Sequence, residues 1–105
     1  MDGTCPMGPC ITTVDECDAS NLDLTCRVNG VVKQASNTRH MYFKIGRLMS
    51  ELSLGLTLEP GDVIATGTPS GVGHARTPPE FLNDGDVLET EIERLGALRN
   101  TIRRS

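Results

Sequence analysis

The segment LEPGDVIATGTPSGVG, residues 58–73, decides how the chain is expected to fold and where it can bind a ligand. Pro60-Gly61-Asp62 is typical of a tight turn, because proline fixes φ and glycine readily adopts positive φ. Val63-Ile64-Ala65 is a short apolar run with two β-branched residues, which predicts a buried strand. Residues 66–73 are rich in glycine and carry hydroxyl groups, so they predict one wall of a small-molecule site. The alternative is a plain glycine-rich connection between two strands.

Two further strands are predicted downstream of this segment. Asn83-Asp84-Gly85-Asp86 is a turn sequence, and Pro78-Pro79 before it favours extended backbone. Residues 87–92 and 97–102 then form two strands around a break at Gly96.

Upstream of the segment, the chain predicts a β-hairpin. Residues 22–28 alternate between apolar and polar side chains, Asn29-Gly30 follows, and residues 31–34 start a second run. Asn-Gly between two such runs is a strong hairpin signal, because both central residues of a type I′ turn need positive φ. A short strand is also predicted at residues 11–14.

One helix is predicted between the hairpin and the glycine-rich loop. Asn37 or Thr38 can cap its start, Gly55 can end it, and His40 near its start is expected to be exposed. Apolar side chains recur at helical spacing and form one stripe that is expected to pack into the core: Met41, Ile45, Leu48, Met49 and Leu52.

These elements add up to one domain that is mainly β with one helix (α+β), arranged as a compact roll or barrel. The 105 residues include 11 glycines and 6 prolines, which favour short strands and many turns over a helical bundle. With one Tyr, two Phe and no Trp, the core is expected to consist of Val, Ile, Leu and Met.

Charge and hydropathy exclude several classes of partner. A formal charge of −4 argues against a nucleic-acid interface, and no apolar run is long enough to span a bilayer. The N-terminus lacks the pattern of a signal peptide, so the expected location is cytoplasmic. Four cysteines without a C-x-x-C pair are then expected to be reduced, and they do not predict a zinc site: Cys5, Cys10, Cys17 and Cys26.

Three other kinds of chemistry do not fit the sequence. Residues 74–79 contain two prolines and cannot cleanly begin the helix that a phosphate-binding loop requires after Gly73. Ser70 lacks the strand–elbow–helix context of a serine hydrolase. The acidic residues between positions 15 and 18 lack the spacing of a calcium loop and are typical of a solvated turn.

Residues 60–73 resemble the signature block of the fumarylacetoacetate hydrolase family. Other segments resemble that family in the same order and spacing, so the likeness covers essentially all 105 residues: 2–9, 28–34, 36–43, 78–82, 85–89 and 96–102. The resemblance implies that residues 1–105 are the C-terminal portion of a catalytic domain, an incomplete β-roll or barrel. It is similar to the acylpyruvate hydrolase and 2-hydroxyhepta-2,4-diene-1,7-dioate isomerase branch.

The resemblance also implies a reaction class. Members are mostly homodimeric enzymes that hydrolyse a C–C bond in β-diketo acids or acylpyruvates, or isomerise or decarboxylate related oxo acids. A bound Mg²⁺, Mn²⁺ or Ca²⁺ holds the substrate oxygens and stabilises the enolate. The hydroxyl of Thr68 is expected to face the substrate. The implied substrate-binding residues form two loops: Met7, Gly8 and Pro9, and Gly67, Thr68 and Pro69.

The family's metal-binding carboxylates and a pocket lysine lie upstream of the part that this chain resembles. Asp2, Asp15, Glu16 and Asp18 do not match their positions, so no catalytic residue and no bound metal are expected in this chain alone. Three hypotheses follow. The chain is part of a metal-dependent hydrolase or isomerase and inactive alone, or a β-roll assembly module that dimerises or complements another chain, or an unrelated β domain with similar turns.

Overall fold

The computed structural model describes residues 3–105, and Asp2 therefore lies outside the described part. Four strands form one antiparallel sheet in the order β2-β1-β3-β4, with the bounds β1 (Asp23–Val28), β2 (Val31–Asn37), β3 (Val87–Ile92) and β4 (Gly96–Thr101). One helix, α1 (Ile45–Gly55), and two short 3-10 helices, Thr38–His40 and Gly73–Ala75, complete the regular structure. The sheet is open, and the prediction of a mainly β chain with one helix is confirmed.

The predicted hairpin forms between β1 and β2. Asn29 and Gly30 both have positive φ, 51° and 81°, as a type I′ turn requires. Cys26 pairs with Gln34 but Arg27 pairs with Val32. The strand register therefore leaves Lys33 as the extra residue of a β-bulge, which frees its carbonyl for contacts outside the sheet.

The two faces of the sheet differ in chemistry. Paired residues of neighbouring strands share a face, so one row crosses all four strands: Gln34, Cys26, Thr90 and Leu98. We call this side the cleft face. On the opposite face Arg27 pairs with Glu91 at 2.9 Å and with Glu89 at 3.9 Å.

The described residues bury very little apolar surface. Cys17 and Leu22 are the buried apolar side chains of residues 3–105, and Asn37 is the buried polar one. Asn37 donates from Nδ2 to Asp23 Oδ1 at 2.8 Å and accepts from the backbone N–H of Arg39 at 2.8 Å. It thereby caps the 3-10 helix that follows β2.

Helix α1 starts later than predicted and does not form a core. It begins at Ile45 after an uncapped Lys44, because Asn37 caps the separate 3-10 helix instead; its end at Gly55 matches the prediction. All residues of α1 are described and none is buried, with Met49 47% exposed. The expectation that its apolar stripe fills a core is therefore wrong for the described part of the chain.

Two predicted strands are absent from residues 3–105. Residues 63–65 and 11–14 are irregular, and the side chains of Val63 and Ile11 are 71% and 98% exposed. A strand requires a partner as well as β-branched residues, and no strand in the described range pairs with either segment. The two predicted turns do form: the backbone N–H of Asp62 donates to the Glu59 carbonyl, and that of Asp86 donates to the Asn83 carbonyl.

Candidate functional site

A cleft of about 700 Å³ lies over the cleft face of the sheet. Its floor is made by side chains of β1 and β3, and its walls come from the 3-10 helix, from residues 41–43 and from the loop 66–70. The floor is largely apolar, which favours desolvation of a small ligand. The floor residues are Leu24, Cys26, Thr90 and Ile92.

Gly67, Thr68 and Pro69 lie together along one wall of this cleft. Gln34 of β2 holds them: its Nε2 donates to Thr68 Oγ1 at 2.9 Å and to the Pro69 carbonyl at 2.8 Å. Gly67 has φ of +97°, and a Cβ placed on it would meet nothing within 4 Å. The predicted wall thus offers the hydroxyl of Thr68 beside the open backbone of Gly67.

The loop that carries Thr68 is attached to the bulge in β2. Arg76 donates from Nη2 to the freed Lys33 carbonyl at 2.6 Å and from Nε to the Gly71 carbonyl at 3.1 Å. Lys33 Nζ in turn contacts Glu80 Oε2 at 2.8 Å. This hydrogen bond and the charge of Lys33, with a smaller effect of Arg76, lower the pKa of Glu80. The bulge and the arginine together fix the loop on the sheet edge.

Met7, Gly8 and Pro9 lie at the other edge of the sheet. A Cβ on Gly8 would stand 3.7 Å from Leu98 Cδ1, and a Cβ on Gly96 would stand 3.1 Å from Pro9 Cγ. Leu98 belongs to the same cross-strand row as Gln34, so both predicted loops lie on the cleft side, one at β4 and one at β2. These two edge strands are three strand spacings, or about 14 Å, apart. The structure does not bring them into one wall, and the substrate contacts of residues 7–9 stay a prediction.

Four titratable side chains line the cleft: Cys26, His40, Tyr42 and Glu91. Burial raises the pKa of the Cys26 thiol, while the charge of Arg27 lowers it by less. A neutral thiol is a poor nucleophile, so Cys26 acts as part of the floor. His40 lines the rim and is exposed, as predicted, and Glu91 is engaged by Arg27.

The ion that the resemblance implies is a divalent metal. Among residues 3–105, no group of three or more His, Cys, Asp or Glu side chains is placed to hold such an ion. The described residues thus do not fit a metal, and what they offer a ligand is a hydroxyl, backbone and an apolar floor. All four cysteines are free thiols.

Sequence reasoning missed the roles of Gln34 and Arg76. Alternation along the hairpin places Gln34 opposite Cys26, but no local pattern shows that its amide reaches a residue 34 positions away. Arg76 depends on a bulge at Lys33 that the sequence does not signal. Both contacts are tertiary and link β2 to the glycine-rich loop.

The sequence matches the family model described as "Fumarylacetoacetate (FAA) hydrolase C-terminal" over residues 1–103. "Oxaloacetate tautomerase FAHD2A, mitochondrial" from Bos taurus is 50% identical over 103 residues, which cover 97% of this chain and 33% of that protein. The chain therefore spans about a third of the length of the curated relatives it matches.

Solved structures are similar across nearly the whole chain. The fumarylacetoacetate hydrolase from Exiguobacterium antarcticum gives a TM-score of 0.96 at 46% identity, covering 100% of this chain and 38% of that one. Maleylpyruvate hydrolase from Sphingobium sp. SYK-6, in complex with manganese(II) and pyruvate, gives 0.82 at 38% identity, covering 91% and 34%. With this fold and a family model that matches residues 1–103, the chain belongs to the fumarylacetoacetate hydrolase family.

Proposed function

We propose that residues 1–105 supply the substrate-facing part of a metal-dependent hydrolase or isomerase of acylpyruvates and related oxo acids. The observation that carries this proposal is the Thr68 hydroxyl, held at the cleft by Gln34 at 2.9 Å. Relatives support the substrate class: one is named an oxaloacetate tautomerase, and a solved relative contains manganese(II) and pyruvate.

The chemistry of the wall suits such a substrate. Thr68 can donate a hydrogen bond to a carboxylate or carbonyl oxygen, and the open Gly67 lets the ligand approach the backbone closely. The apolar floor excludes water from the carbon skeleton.

The metal of the proposed enzyme is Mg²⁺, Mn²⁺ or Ca²⁺, as the resemblance implies. Because residues 3–105 contain no fitting donor set, we assign its carboxylate ligands to sequence that this chain does not contain. The chain alone is then expected to bind a substrate fragment without turning it over.

A direct experiment uses the 105-residue chain with pyruvate as the probe. In a methyl NMR titration, pyruvate should shift the Thr68 and Thr90 signals, while incubation with Mn²⁺ and acetylpyruvate or oxaloacetate should give no turnover. Pyruvate that leaves both threonines unshifted would contradict the substrate-binding role. Turnover by the chain alone would contradict the assignment of the metal ligands.

A second candidate function is that of an assembly module that forms a homodimer or complements another chain. The exposed apolar surface favours it: Tyr42 and Leu54 are 91% and 81% exposed, and Phe43 contacts Tyr42 edge to face at 4.8 Å. Sedimentation equilibrium distinguishes a monomer from a dimer. Complementation is tested by mixing this chain with the segment of a family member that precedes the matching region. Restored acylpyruvate cleavage would show that the chain both complements another segment and supplies the substrate-facing part of an enzyme.

The cellular location stays a prediction. In the part of the chain that the structure describes, no helix has the length and apolar content needed to cross a membrane. We propose a cytoplasmic location, although the bovine relative is named as mitochondrial. Imaging of a fluorescent fusion at the C-terminus would distinguish the two compartments.

A further inference from the structure

The side-chain amide of Gln34 uses both of its N–H groups on the glycine-rich loop. One donates to Thr68 Oγ1 at 2.9 Å and the other to the Pro69 carbonyl at 2.8 Å. A backbone carbonyl can only accept, so Pro69 fixes which end of the amide faces the loop. The group beside Thr68 is therefore a donor.

This arrangement decides which way the Thr68 hydroxyl can act. A threonine hydroxyl has one hydrogen to donate and two lone pairs that accept. Gln34 occupies one lone pair, and the Thr68 hydrogen cannot point back at Nε2, which has no free lone pair. Within residues 3–105 the hydroxyl makes no other hydrogen bond, and Thr68 lines the cleft, so its hydrogen remains for a ligand.

We propose that Gln34 is a positioning residue that fixes Thr68 as a hydrogen-bond donor, so that this wall of the cleft selects ligands with a carbonyl or carboxylate oxygen. The inference rests on the proposed function, since it concerns the same site. It adds a residue outside the two substrate-binding loops and gives the reason why Thr68 favours an acceptor oxygen over a donor group.

The surrounding contacts keep this geometry in place. Gln34 pairs with Cys26 in the sheet, directly beside the bulge at Lys33. On the loop side, Arg76 holds the Lys33 and Gly71 carbonyls, and a Cβ on Gly71 would stand 3.1 Å from Gln34 Cγ. Both partners of the Gln34–Thr68 bond are thus fixed independently of any ligand.

The deciding variant is Gln34→Glu, which keeps the size of the side chain and reverses its hydrogen bonding. The introduced carboxylate accepts the Thr68 hydrogen and turns it away from the cleft. At neutral pH we expect the affinity for pyruvate to fall about tenfold or more, the order of one charge-assisted hydrogen bond. Lowering the pH should protonate the new carboxyl group and recover part of the affinity. Because the neutral carboxyl group can also donate to the Pro69 carbonyl, the comparisons below are needed to separate positioning of Thr68 from attachment of the loop.

Two comparisons separate positioning from simple attachment of the loop. Glu80→Gln removes the ion pairs of Glu80 with Lys33 of β2 and with Arg76 without touching Thr68 or Pro69, and it should leave pyruvate affinity unchanged. Gln34→Glu in a Thr68→Val background should bind pyruvate as Thr68→Val alone does. A further loss in that background, or equal pyruvate affinities of Gln34→Glu and the native chain at every pH, would overturn the proposal.

A measurement on the native chain avoids reliance on variants that could unfold. The deuterium isotope shift of Thr68 Cβ reports how fast the hydroxyl hydrogen exchanges with water. Fast exchange in the free protein and slow exchange with pyruvate support the proposal, and slow exchange in the free protein overturns it. If pyruvate does not bind at all, the proposed function fails, while exchange in the free protein still decides how Gln34 orients Thr68.

Discussion

Gly71 lies directly on the main chain of Lys33. A Cβ on Gly71 would stand 2.3 Å from the Lys33 carbonyl oxygen, closer than real Cβ contacts allow, and Gly71 has φ of +103°. The glycine therefore meets two separate requirements: a left-handed backbone and close approach of the loop to β2. Since the same carbonyl accepts a hydrogen bond from Arg76, the loop and the bulge form one unit.

Gly71→Ala should detach the loop from the sheet. Strain at positive φ costs about 1–3 kcal/mol, and the contact with the backbone of Lys33 adds to it. Gly67→Ala is the matched control, because Gly67 has φ of +97° but open space around it. Urea unfolding should show a larger loss of stability for Gly71→Ala than for Gly67→Ala. Equal losses would mean that the close approach contributes nothing.

Elements coded by local chemistry were predictable from the sequence. Asn29-Gly30 specifies its turn through positive φ alone, and the hairpin forms as predicted. The two C-terminal strands also appear within one residue of their predicted bounds. The run at residues 63–65 has strand-forming residues but no partner within residues 3–105, and a local pattern cannot reveal whether a partner exists.

The site was predictable only in part, for a similar reason. A glycine-rich loop with Thr68 indicates a ligand wall, and the cleft does include Gly67, Thr68 and Pro69. Its supporting contacts from Gln34 and Arg76 join residues 34 and 43 positions apart, and no periodicity encodes them. Burial of α1 failed for a different reason: its stripe requires a second apolar surface, which the described residues do not provide.

Arg76→Met should weaken the attachment of the loop more than loss of an exposed ion pair does. Arg76 donates to two backbone carbonyls, and hydrogen bonds from a charged group contribute about 1.5–3 kcal/mol each before exposure reduces this. We expect a loss of about 1–3 kcal/mol in urea unfolding. The control is Arg47→Met, which removes an exposed pair with Glu51 and should cost less than about 0.5 kcal/mol. A cost for Arg76→Met as small as that of the control would contradict the role of Arg76 as the anchor.

Thr68→Val should weaken pyruvate binding about tenfold and leave the fold intact. The change removes one hydroxyl at nearly constant volume from an exposed side chain, so the stability should change by about 0.5 kcal/mol or less. Thr68→Ser keeps the hydroxyl and should keep most of the affinity in the same NMR titration. A clear drop in the free energy of unfolding of Thr68→Val, with pyruvate binding retained, would identify Thr68 as a structural residue.

Asp86 should make the stability of the sheet sensitive to acid. The backbone N–H of Asn83 donates to its Oδ2 at 2.8 Å and Asn29 Nδ2 donates to its Oδ1 at 2.9 Å, and these bonds lower the pKa of Asp86. Asn29 also accepts from the backbone N–H of Val87, so Asp86 connects the β1–β2 turn to the start of β3.

A carboxyl group whose pKa is lower in the folded state stabilises the fold above its unfolded pKa of about 4. That contribution is lost as the pH falls through that value toward the folded pKa. Thermal unfolding of the native chain and of Asp86→Asn between pH 7 and pH 3 isolates the contribution of Asp86 to stability. Three other carboxyl groups with lowered pKa values are present in both proteins and therefore cancel: Asp15, Asp18 and Glu80. The native chain should be more stable at pH 7, and the difference should shrink below about pH 4. A difference that stays constant down to pH 3 would show that the Asp86 carboxylate does not hold the turn.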